Sequence, residues 1–324
     1  MNKCFFVFLR HICLGICIIA FIVACQSTEK QRKLRIIHAG SVSVPLAEIV
    51  DSFISLHSDV VIETEAWGSK AGARRIADLQ QPCDVFVSAD YKVIDRILIP
   101  DHASWNIPFA SNEMALVYTN KSGYSAEINT ENWMDILMKP DIIFGRSDPN
   151  SDPCGSRAVL CIKLAEKYYN RPGLSEQMLS LHLNQIRPKE TDLLALLEKD
   201  AIDYIFLYKS VAIQHQLKFL ELPDEINLSN SELDSLYNTV TVEVAGNSPE
   251  KKITETGEAM VYGITIPLKT TQKELAEEFV DFFLNYNQGL KIFEKHGQLT
   301  IVPSKTQSYA NIPERLKKYA LPPR

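Results

Sequence analysis

Strand-like and helix-like segments alternate along most of this 324-residue chain, and the alternation restarts once. Short apolar runs that read as strands are followed by runs with apolar residues at helical spacing, as in 34–38 and 44–56. Strands that alternate with helices form parallel-type sheets covered by helices on both faces. The sequence therefore predicts an α/β fold.

The predicted elements form two series. In the first series the pattern predicts strands at 34–38, 60–64 and 84–88, and helices at 44–56, 71–79 and 91–98. In the second series it predicts helices at 133–138, 157–169 and 193–199, and strands at 142–144 and 204–207. Two more helices are predicted near the end, at 273–286 and 287–296.

Two further strand-like runs, 114–119 and 259–266, bound the second series. We expect these runs to cross between two lobes and to act as the hinge. Lobe I then comprises residues 32–115 plus 266–324, and lobe II, residues 116–265, is inserted into it. No internal repeat or low-complexity linker is present, which argues against independent modules on a tether.

The chain begins with a segment typical of export signals. Two basic residues precede the continuous apolar run 12–24, which is too short to span a bilayer but suits a signal peptide. Ala24 followed by Cys25 resembles a bacterial lipobox. We predict a lipoprotein signal peptide at 1–24 and a linker at 25–31 that starts with lipidated Cys25. An ordinary secretory signal and a short uncleaved anchor are the alternatives; lipidation tethers the exported protein to a membrane surface.

The charge balance limits the partners of the mature chain. The full chain has a formal net charge of −6, and loss of residues 1–24 leaves 32 basic and 40 acidic residues, a net charge of −8. No basic run stands out, so nucleic-acid binding is not expected. An anionic ligand must be held by local dipoles and donors, because the overall field does not attract it.

Three cysteines, Cys83, Cys154 and Cys161, follow the targeting segment. Cys154 and Cys161 are separated by about 10 Å along one helix, which is too far for a disulfide. Without a CxxC motif or a nearby His pair they give a weak metal-site signal. We expect them to be mostly buried small apolar side chains, and we expect no cofactor.

Three strand-to-helix junctions are polar, small and rich in donors, namely HAGSVS at 38–43, WGSKAG at 67–72 and the segment 148–155. Ligands of open α/β sheets bind beyond the carboxyl ends of the strands. Gly40 and Gly68 allow close backbone approach, and Ser41 and Ser69 each add a hydroxyl. A single Gly-Ser pair is also a common helix cap. Three converging junctions favour a site for a small oxyanion.

The segment GRSDPNSDPCG at 145–155 places Asp148 and Asp152 at a predicted helix start. Free N–H groups at a helix start favour an anion, so two carboxylates at this position need an explanation. They cap the turn and the helix in the simplest interpretation, and we assign that role to Asp148.

Several motifs of the chain resemble one family. They are HAGS at 38–41, GS at 68–69, SADY at 88–91, NE at 112–113, GRSDPN at 145–150, DPCG at 152–155, SVAIQH at 210–215 and LPDEINL at 222–228. Together they look like the tungstate/molybdate-binding proteins of the WtpA type, which are the substrate-binding components of ABC importers. The resemblance covers nearly all of the predicted mature chain.

This resemblance implies the type II periplasmic-binding-protein fold and a non-enzymatic receptor that delivers tungstate or molybdate to a membrane permease. By motif, the ligand-binding residues it implies are Gly40, Ser41, Ser69, Asp152, Pro153 and Cys154. Asp152 is implied as a carboxylate that approaches the metal inside the oxyanion, as carboxylates do in archaeal-type relatives. Oxygen ligands suit a hard, high-valent metal.

The chain departs from the family pattern at two positions. Leu207 stands where the family has a second coordinating Glu, and Ser156 stands where a Tyr is usual. A site with one carboxylate, or a four-coordinate anion, is therefore open. Glu225 is another candidate acid, with a role as a turn or hinge residue as the alternative.

Two rival functions remain open from the sequence. One is a receptor for another tetrahedral oxyanion such as sulfate or thiosulfate, which the missing Glu at Leu207 favours. The other is an exported hydrolase that uses Cys154 at a helix N-terminus, where a thiolate is favoured. That chemistry needs a base within hydrogen-bond reach, and the histidines show no matching spacing. We expect a monomer in either receptor.

Overall fold

The computed structural model describes residues 31–245 and 252–323. The predicted signal peptide and the proposed lipid-bearing Cys25 lie outside these residues. Within the described part of the chain, no helix combines the length and apolar character needed to cross a bilayer.

The strands of the described residues are, in chain order, β1 Arg32–Ala39, β2 Val60–Trp67, β3 Val85–Ser88, β4 Ile107–Ser111, β5 Met114–Tyr118, β6 Phe144–Ser147, β7 Ile186–Arg187, β8 Tyr204–Tyr208, β9 Lys218–Glu221, β10 Thr241–Ala245, β11 Lys252–Thr256, β12 Val261–Thr265, β13 Leu299–Thr300, β14 Ser304–Lys305 and β15 Ala320–Leu321. The α-helices are α1 Ser43–Leu56, α2 Ser69–Ala77, α3 Tyr91–Val93, α4 Trp133–Leu137, α5 Pro153–Tyr168, α6 Leu174–Ser180, α7 Glu190–Glu198, α8 Lys209–Gln214, α9 Asp224–Asn227, α10 Asp234–Tyr237, α11 Lys273–Leu284 and α12 Lys291–Lys295. A π-helical turn, Ile94–Leu98, continues α3, and a second, Tyr286–Leu290, precedes α12.

The larger sheet has the strand order β13-β4-β12-β3-β1-β2. Strand β1 runs parallel to β2 and β3, whereas β12 is antiparallel to both β3 and β4. Buried residues cover both faces of this sheet: one cluster includes Leu46 and Phe53 of α1, and the other includes Ala73 and Ile76 of α2. We call the body built on this sheet lobe I.

The smaller sheet has the strand order β7-β6-β8-β5-β9, and its core includes the inner face of α5. Strand β6 is parallel to β7 and β8, whereas β5 is antiparallel to β8 and β9. We call this body lobe II. The predicted two-lobed α/β fold with helices around two sheets is confirmed.

Both sheets are mixed rather than wholly parallel, because the strands that carry the chain between lobes enter antiparallel to their neighbours. The chain leaves β4 and enters β5 through Asn112 and Glu113, and it returns to β12 after residue 260. The chain thus passes from one sheet to the other a few residues before the predicted lobe boundaries at 115 and 265. The predicted lobe boundaries themselves stay predictions.

The strand predicted at 142–144 is wrong in its position. The structure has this strand at β6, Phe144–Ser147, so Gly145 and Arg146, which follow the predicted strand, belong to the sheet. Gly145 fits here because a Cβ atom would lie 2.7 Å from Leu193 of α7. Close packing of a helix that comes 45 residues later therefore decides this strand.

A buried polar network joins the two lobes at the crossing. Asn112 donates from Nδ2 to the hydroxyls of Ser210 at 2.9 Å and Tyr262 at 3.2 Å. Glu113 forms an ion pair with Lys209 and accepts from Asn227 Nδ2 at 2.9 Å. Because buried polar groups need partners, these contacts fix the hinge residues in both lobes.

Candidate functional site

Gly40 and Ser41 lie at the carboxyl end of β1, in a short 3₁₀ turn that leads into α1. Both residues are exposed. A Cβ atom at Gly40 would meet nothing within 4 Å, so no described atom of the protein requires glycine there. The Tyr262 hydroxyl donates to Ser41 Oγ at 3.2 Å, which leaves the Ser41 O–H free to donate.

Ser69 opens α2 in the same way at the end of β2. Its Oγ accepts from the Ala89 N–H at 3.0 Å, so its own O–H also remains a donor. Gly68, the N-cap of α2, has open space at its Cβ position, and no side chain caps this helix start. We call Gly40, Ser41, Gly68 and Ser69 the lobe I wall. It offers neutral donors and uncapped helix N–H groups.

Asp152 in lobe II is the N-cap of α5. Its Oδ1 accepts from the Cys154 N–H at 2.9 Å, and its Oδ2 accepts from the Glu190 N–H at 2.8 Å. Glu190 is the first residue of α7, so one carboxylate satisfies the N-terminal ends of two helices. Both helix dipoles favour a negative charge at this point. A carboxylate has about four lone-pair positions, so both oxygens can still accept a further contact.

Asp148 stabilises the preceding turn, as predicted. Its Oδ1 accepts from the backbone and side chain of Asn150 at 2.9 and 2.8 Å, and its Oδ2 accepts from Ser151 Oγ at 3.3 Å. The two acids of this segment therefore both act as caps, but only Asp152 reaches a second helix.

Arg157 is a functional candidate that sequence reasoning missed. It lies on α5, just over one turn after Asp152, and donates from Nη1 to the Tyr208 hydroxyl at 2.5 Å. No carboxylate of the described residues lies within ion-pair distance of its guanidinium. Burial lowers the pKa of Arg157, but the nearby Tyr208 hydroxyl and Cys154 outweigh it, so the pKa is raised and the charge is kept.

The field of Arg157 reaches both lobes. Burial raises the pKa of the Asp90 carboxyl of lobe I, and the Arg157 guanidinium acts in the opposite direction. The guanidinium also lies close enough to Tyr262 to affect its hydroxyl. One signal in the sequence points to Arg157: it is the first charged side chain in a helix whose next five residues are all apolar.

Glu190 is a second residue that sequence reasoning missed. Burial raises the pKa of its carboxyl to about 7, and the neighbouring Asp152 carboxylate acts in the same direction. Its carboxyl lies beside the Cys154 thiol and within the field of Arg157. An acidic residue in a first helical turn is ordinary, so the sequence carried no signal for it.

Cys154 has no exposed surface, and its Sγ donates to the Phe206 carbonyl at 3.7 Å. Burial raises the pKa of its thiol well above the usual value, with the Glu190 and Asp152 carboxylates acting in the same direction. The predicted burial of Cys154 is confirmed, and the premise of the rival hydrolase is wrong, because Asp152 takes up the helix N–H group that would have stabilised a thiolate.

Pro153 has no N–H group, and the Cys154 N–H bonds to Asp152, so the start of α5 is already satisfied within the protein. The structure groups Asp152 and Cys154 with three residues not predicted for the site. We call Asp152, Cys154, Arg157, Glu190 and Tyr208 the lobe II wall.

The structure does not join Glu225 to this wall. Glu225 is partly buried in α9 and has no hydrogen bond or ion pair with the described residues of the wall. Leu207 has no exposed surface in β8, and Ser156 donates from Oγ to the Pro153 carbonyl at 3.1 Å. Neither departure from the family pattern contributes a carboxylate or a phenol to the site.

A lysine of lobe I reaches lobe II beside this site. Lys92 of α3 pairs with Asp234 of α10 at 3.2 Å and with Glu258 at 2.8 Å.

Two cavities, of about 340 and 560 Å³, are lined by other residues, so side-chain chemistry rather than cavity size defines the candidate site. In the described residues, no three His, Cys, Asp or Glu side chains form a group that could hold a bare metal ion.

Two sheets joined by two crossings of the chain, with polar residues at strand ends in both lobes, have the arrangement of a two-lobed ligand-binding protein. The chain belongs to the bacterial extracellular solute-binding protein family, whose model matches residues 34–298. Proteins of this family bind solutes and are not enzymes, so the prediction of a non-enzymatic receptor is confirmed. The family is extracellular, so the chain is an exported protein.

Comparison with known proteins supports this assignment. The chain is 42% identical over 285 residues to a solute-binding protein of Petrotoga mobilis, with 88% of each chain covered. It is 36% identical to the molybdate/tungstate-binding protein WtpA of Pyrococcus abyssi, covering 90% of this chain and 91% of the relative. The predicted resemblance to WtpA-type proteins is therefore confirmed.

Solved structures confirm the fold. The substrate-binding domain of a putative molybdenum ABC transporter from Clostridium difficile matches with a TM-score of 0.57 at 17% identity, covering 83% of this chain and 99% of that one. The sulfate-binding protein SubI from Mycobacterium tuberculosis matches with a TM-score of 0.56 at 14% identity, covering 90% and 92%. Because one fold serves both anions, the fold alone does not select the solute.

Proposed function

We propose that this protein binds tungstate or molybdate between the lobe I and lobe II walls. The observation that carries the proposal is the Asp152 carboxylate, held at two helix starts and just over one helical turn from Arg157, whose guanidinium forms no ion pair within the part of the chain that the structure describes. Hydroxyls of Ser41 and Ser69 stand in the opposite wall with their protons free. Together these groups offer donors for the oxyanion oxygens and one oxygen ligand for its metal.

The carboxylate supports a metal oxyanion over sulfate or phosphate. A negative group beside a dianion is repelled unless it bonds to an electrophilic centre within that dianion. Hexavalent tungsten and molybdenum can expand their coordination and accept a hard oxygen ligand. Sulfur and phosphorus in sulfate and phosphate offer no such position. The name of the 36% identical Pyrococcus abyssi relative supports the same choice of solute.

The proposed transport role follows from binding without catalysis. Closure of the lobes buries the dianion, and the higher affinity of the closed state drives that closure. The closed receptor then delivers its ligand to an ABC permease as a monomer held to the membrane by lipid on Cys25. A labelled fatty acid should be incorporated into the protein and not into the Cys25→Ser variant. Absence of label from the unmodified protein would refute the lipid anchor.

Calorimetric titration with four anions tests the solute. We expect tungstate and molybdate to bind, and sulfate and phosphate to bind at least tenfold more weakly or not at all. Binding of phosphate or sulfate without binding of tungstate or molybdate would overturn the proposal. The protein would then be a receptor for another tetrahedral oxyanion. The buried Leu207 favours that second candidate, because it removes a carboxylate that sulfate would reject.

The variant Asp152→Asn separates the two receptors. Asparagine keeps one oxygen that can cap a helix but cannot accept both the Cys154 and the Glu190 N–H groups, so we expect a loss of about 1–3 kcal/mol in unfolding free energy, measured by urea unfolding, together with loss of the anionic ligand. We expect tungstate affinity to fall by about tenfold to a hundredfold, as for loss of other metal-site groups, and any sulfate affinity to stay or rise. Asp148→Asn is the matched control, since Asp148 caps only its own turn. Equal tungstate affinity of both variants would exclude Asp152 as a metal ligand.

A further inference from the structure

We propose that a cavity on the far side of the crossing segments sets the balance between open and closed lobes, and thereby the affinity of the protein for its anion. We call it the hinge-side cavity. It has a volume of about 560 Å³ and is lined by residues of both lobes. This inference rests on the proposed function, because it concerns how tightly the two walls hold their ligand.

The strand order of lobe I separates the hinge-side cavity from the candidate site. That order is β13-β4-β12-β3-β1-β2, and the crossings connect to β4 and β12. Gly40 and Ser69 follow β1 and β2 on one side of the crossings. On the other side, the cavity is lined by Leu299 and Thr300, which form β13. The candidate site and the cavity therefore lie on opposite sides of the crossings in lobe I.

Lobe II shows the same separation. Its strand order is β7-β6-β8-β5-β9, and the first crossing enters at β5. Asp152 and Glu190 follow β6 and β7 on one side of β5. The lobe II residues that line the cavity, Asp224 and 229–232, follow β9 on the other side. Both sheets thus assign the two sites to opposite sides of the crossings.

Rotation of the lobes about the crossings changes the two sides in opposite directions. The buried bonds of Asn112 to Ser210 and Tyr262 hold the crossing in both lobes, so it can act as the axis. Closure about a few hinge residues is a common response to a ligand. Closure on the site side then moves the lobes apart around the hinge-side cavity, and opening brings them together there. The free space in this cavity therefore limits how far the lobes open.

The two lobes do not pack tightly across the hinge-side cavity. On the lobe I side, Leu299 and Leu321 line the cavity but are 46% and 41% exposed. The lobe II side opposite them is polar, with Ser229, Asn230 and Ser231. Contact between an apolar and a polar surface removes water from groups that find no partner, so it gains little free energy. The open state is therefore held only weakly on this side.

One ion pair bridges the lobes at this cavity. Lys305 Nζ of lobe I lies 3.2 Å from Glu232 Oε1 of lobe II, and both residues line the cavity. Closure on the site side moves these two residues apart, so the pair favours the open state. Both side chains are partly exposed, and such pairs contribute little. Added bulk in the cavity should therefore shift the balance more than loss of this pair.

The variant Ser231→Trp tests this balance. Ser231 is exposed and lines the cavity, so an indole there fills space that opening of the lobes requires. The ligand-free protein should then be closed more often, and X-ray scattering should show a smaller radius of gyration. Because apparent affinity follows the fraction of binding-competent protein, calorimetry should show tungstate bound about threefold to tenfold more tightly. Ser231→Ala adds no bulk and is the matched control.

The gain should be the same factor for every anion that binds, because the hinge-side cavity touches no ligand. An unchanged or larger radius of ligand-free Ser231→Trp would overturn the inference, and so would an unchanged or weaker tungstate affinity. Thr300→Trp adds the same bulk from lobe I and gives the measurement if Ser231→Trp does not fold. The radius is measured without ligand, so it decides this inference even for a protein that binds no tungstate, a result that would refute the proposed function.

The variant Lys305→Met gives a smaller change in the same direction. Loss of a partly exposed ion pair that favours the open state should tighten tungstate binding by about twofold to threefold. Lys317→Met, which removes an ion pair with Glu314 within lobe I, is the control and should leave the affinity unchanged. Weaker binding by Lys305→Met would show that the pair favours the closed state, which contradicts the inference.

Discussion

The lobe I wall and the lobe II wall both lie where helices start after strands, but the free N–H groups of those helix starts are satisfied differently in the two walls. In the lobe I wall no side chain caps the first turns of α1 and α2, and the nearby hydroxyls of Ser41 and Ser69 are free to donate. In the lobe II wall one carboxylate, Asp152, caps both α5 and α7. Lobe I thus offers neutral, exposed donors, whereas lobe II offers charged and buried groups, and we propose that the first set binds oxyanions in general and the second distinguishes among them.

We propose that this difference gives the two walls different roles in ligand recognition. Neutral N–H and O–H donors bind any small oxyanion, because hydrogen bonds do not distinguish tungsten from sulfur at the centre. Charged groups that are fixed by packing discriminate between ligands by what they can bond to or repel. We therefore expect substitutions in lobe I to affect all anions alike, and carboxylate substitutions in lobe II to change the preference among them.

The largest effect should follow from Arg157→Met, which removes the one cation of the lobe II wall as the structure describes it. A hydrogen bond to a charged group contributes about 1.5–3 kcal/mol, so we expect roughly a tenfold to hundredfold loss of affinity for every oxyanion. Arg171→Met, which removes an ion pair with Asp135 on the surface, is the control. Calorimetry that finds unchanged affinity for Arg157→Met would remove Arg157 from the site.

Two glycines at helix starts allow a comparison of the lobes: Gly40 belongs to the lobe I wall, and Gly155 lies in the first turn of α5, which carries the lobe II wall. Ala in place of Gly40 meets open space, so stability should change by less than about 1 kcal/mol while a new methyl group lowers anion affinity by about tenfold. Ala in place of Gly155 meets the Ser147 carbonyl, so unfolding free energy should fall by about 1–3 kcal/mol. Urea unfolding and calorimetry measure both. A stable, fully binding Gly40→Ala protein would contradict close approach of the ligand.

The smallest effect concerns the contact between lobes. Lys92→Met removes the pairs with Asp234 and Glu258 that hold α3 against lobe II. These groups are partly exposed, so we expect a cost of about 0.5–1 kcal/mol to the closed state and a twofold to fivefold weaker affinity. Lys305→Met, at another ion pair, is a second variant for comparison. X-ray scattering of the ligand-bound Lys92→Met protein should show a larger radius, and an unchanged radius and affinity would exclude the contact from closure.

Local sequence determined much of this protein. Apolar periodicity indicated the alternating strands and helices, and the DPCG motif located the start of the helix that carries the site, although α5 begins at Pro153 rather than at 157. Short polar turns after strands predicted that Gly40, Ser41 and Ser69 lie at the starts of helices, where the structure has them. These features depend on neighbours in the sequence, and so a pattern within a few residues is enough to find them.

Tertiary structure alone decided the composition of the lobe II wall. The cap of Asp152 extends to Glu190, 38 residues later, and the orphan oxygen of Glu190 exists only because α5, α7 and β8 bury it together. The same packing buries Cys154 fully, and it places Gly145 in β6 against Leu193. The sequence determined which residues carry charge, while burial and distance, which depend on the whole fold, decided which of those charges meet.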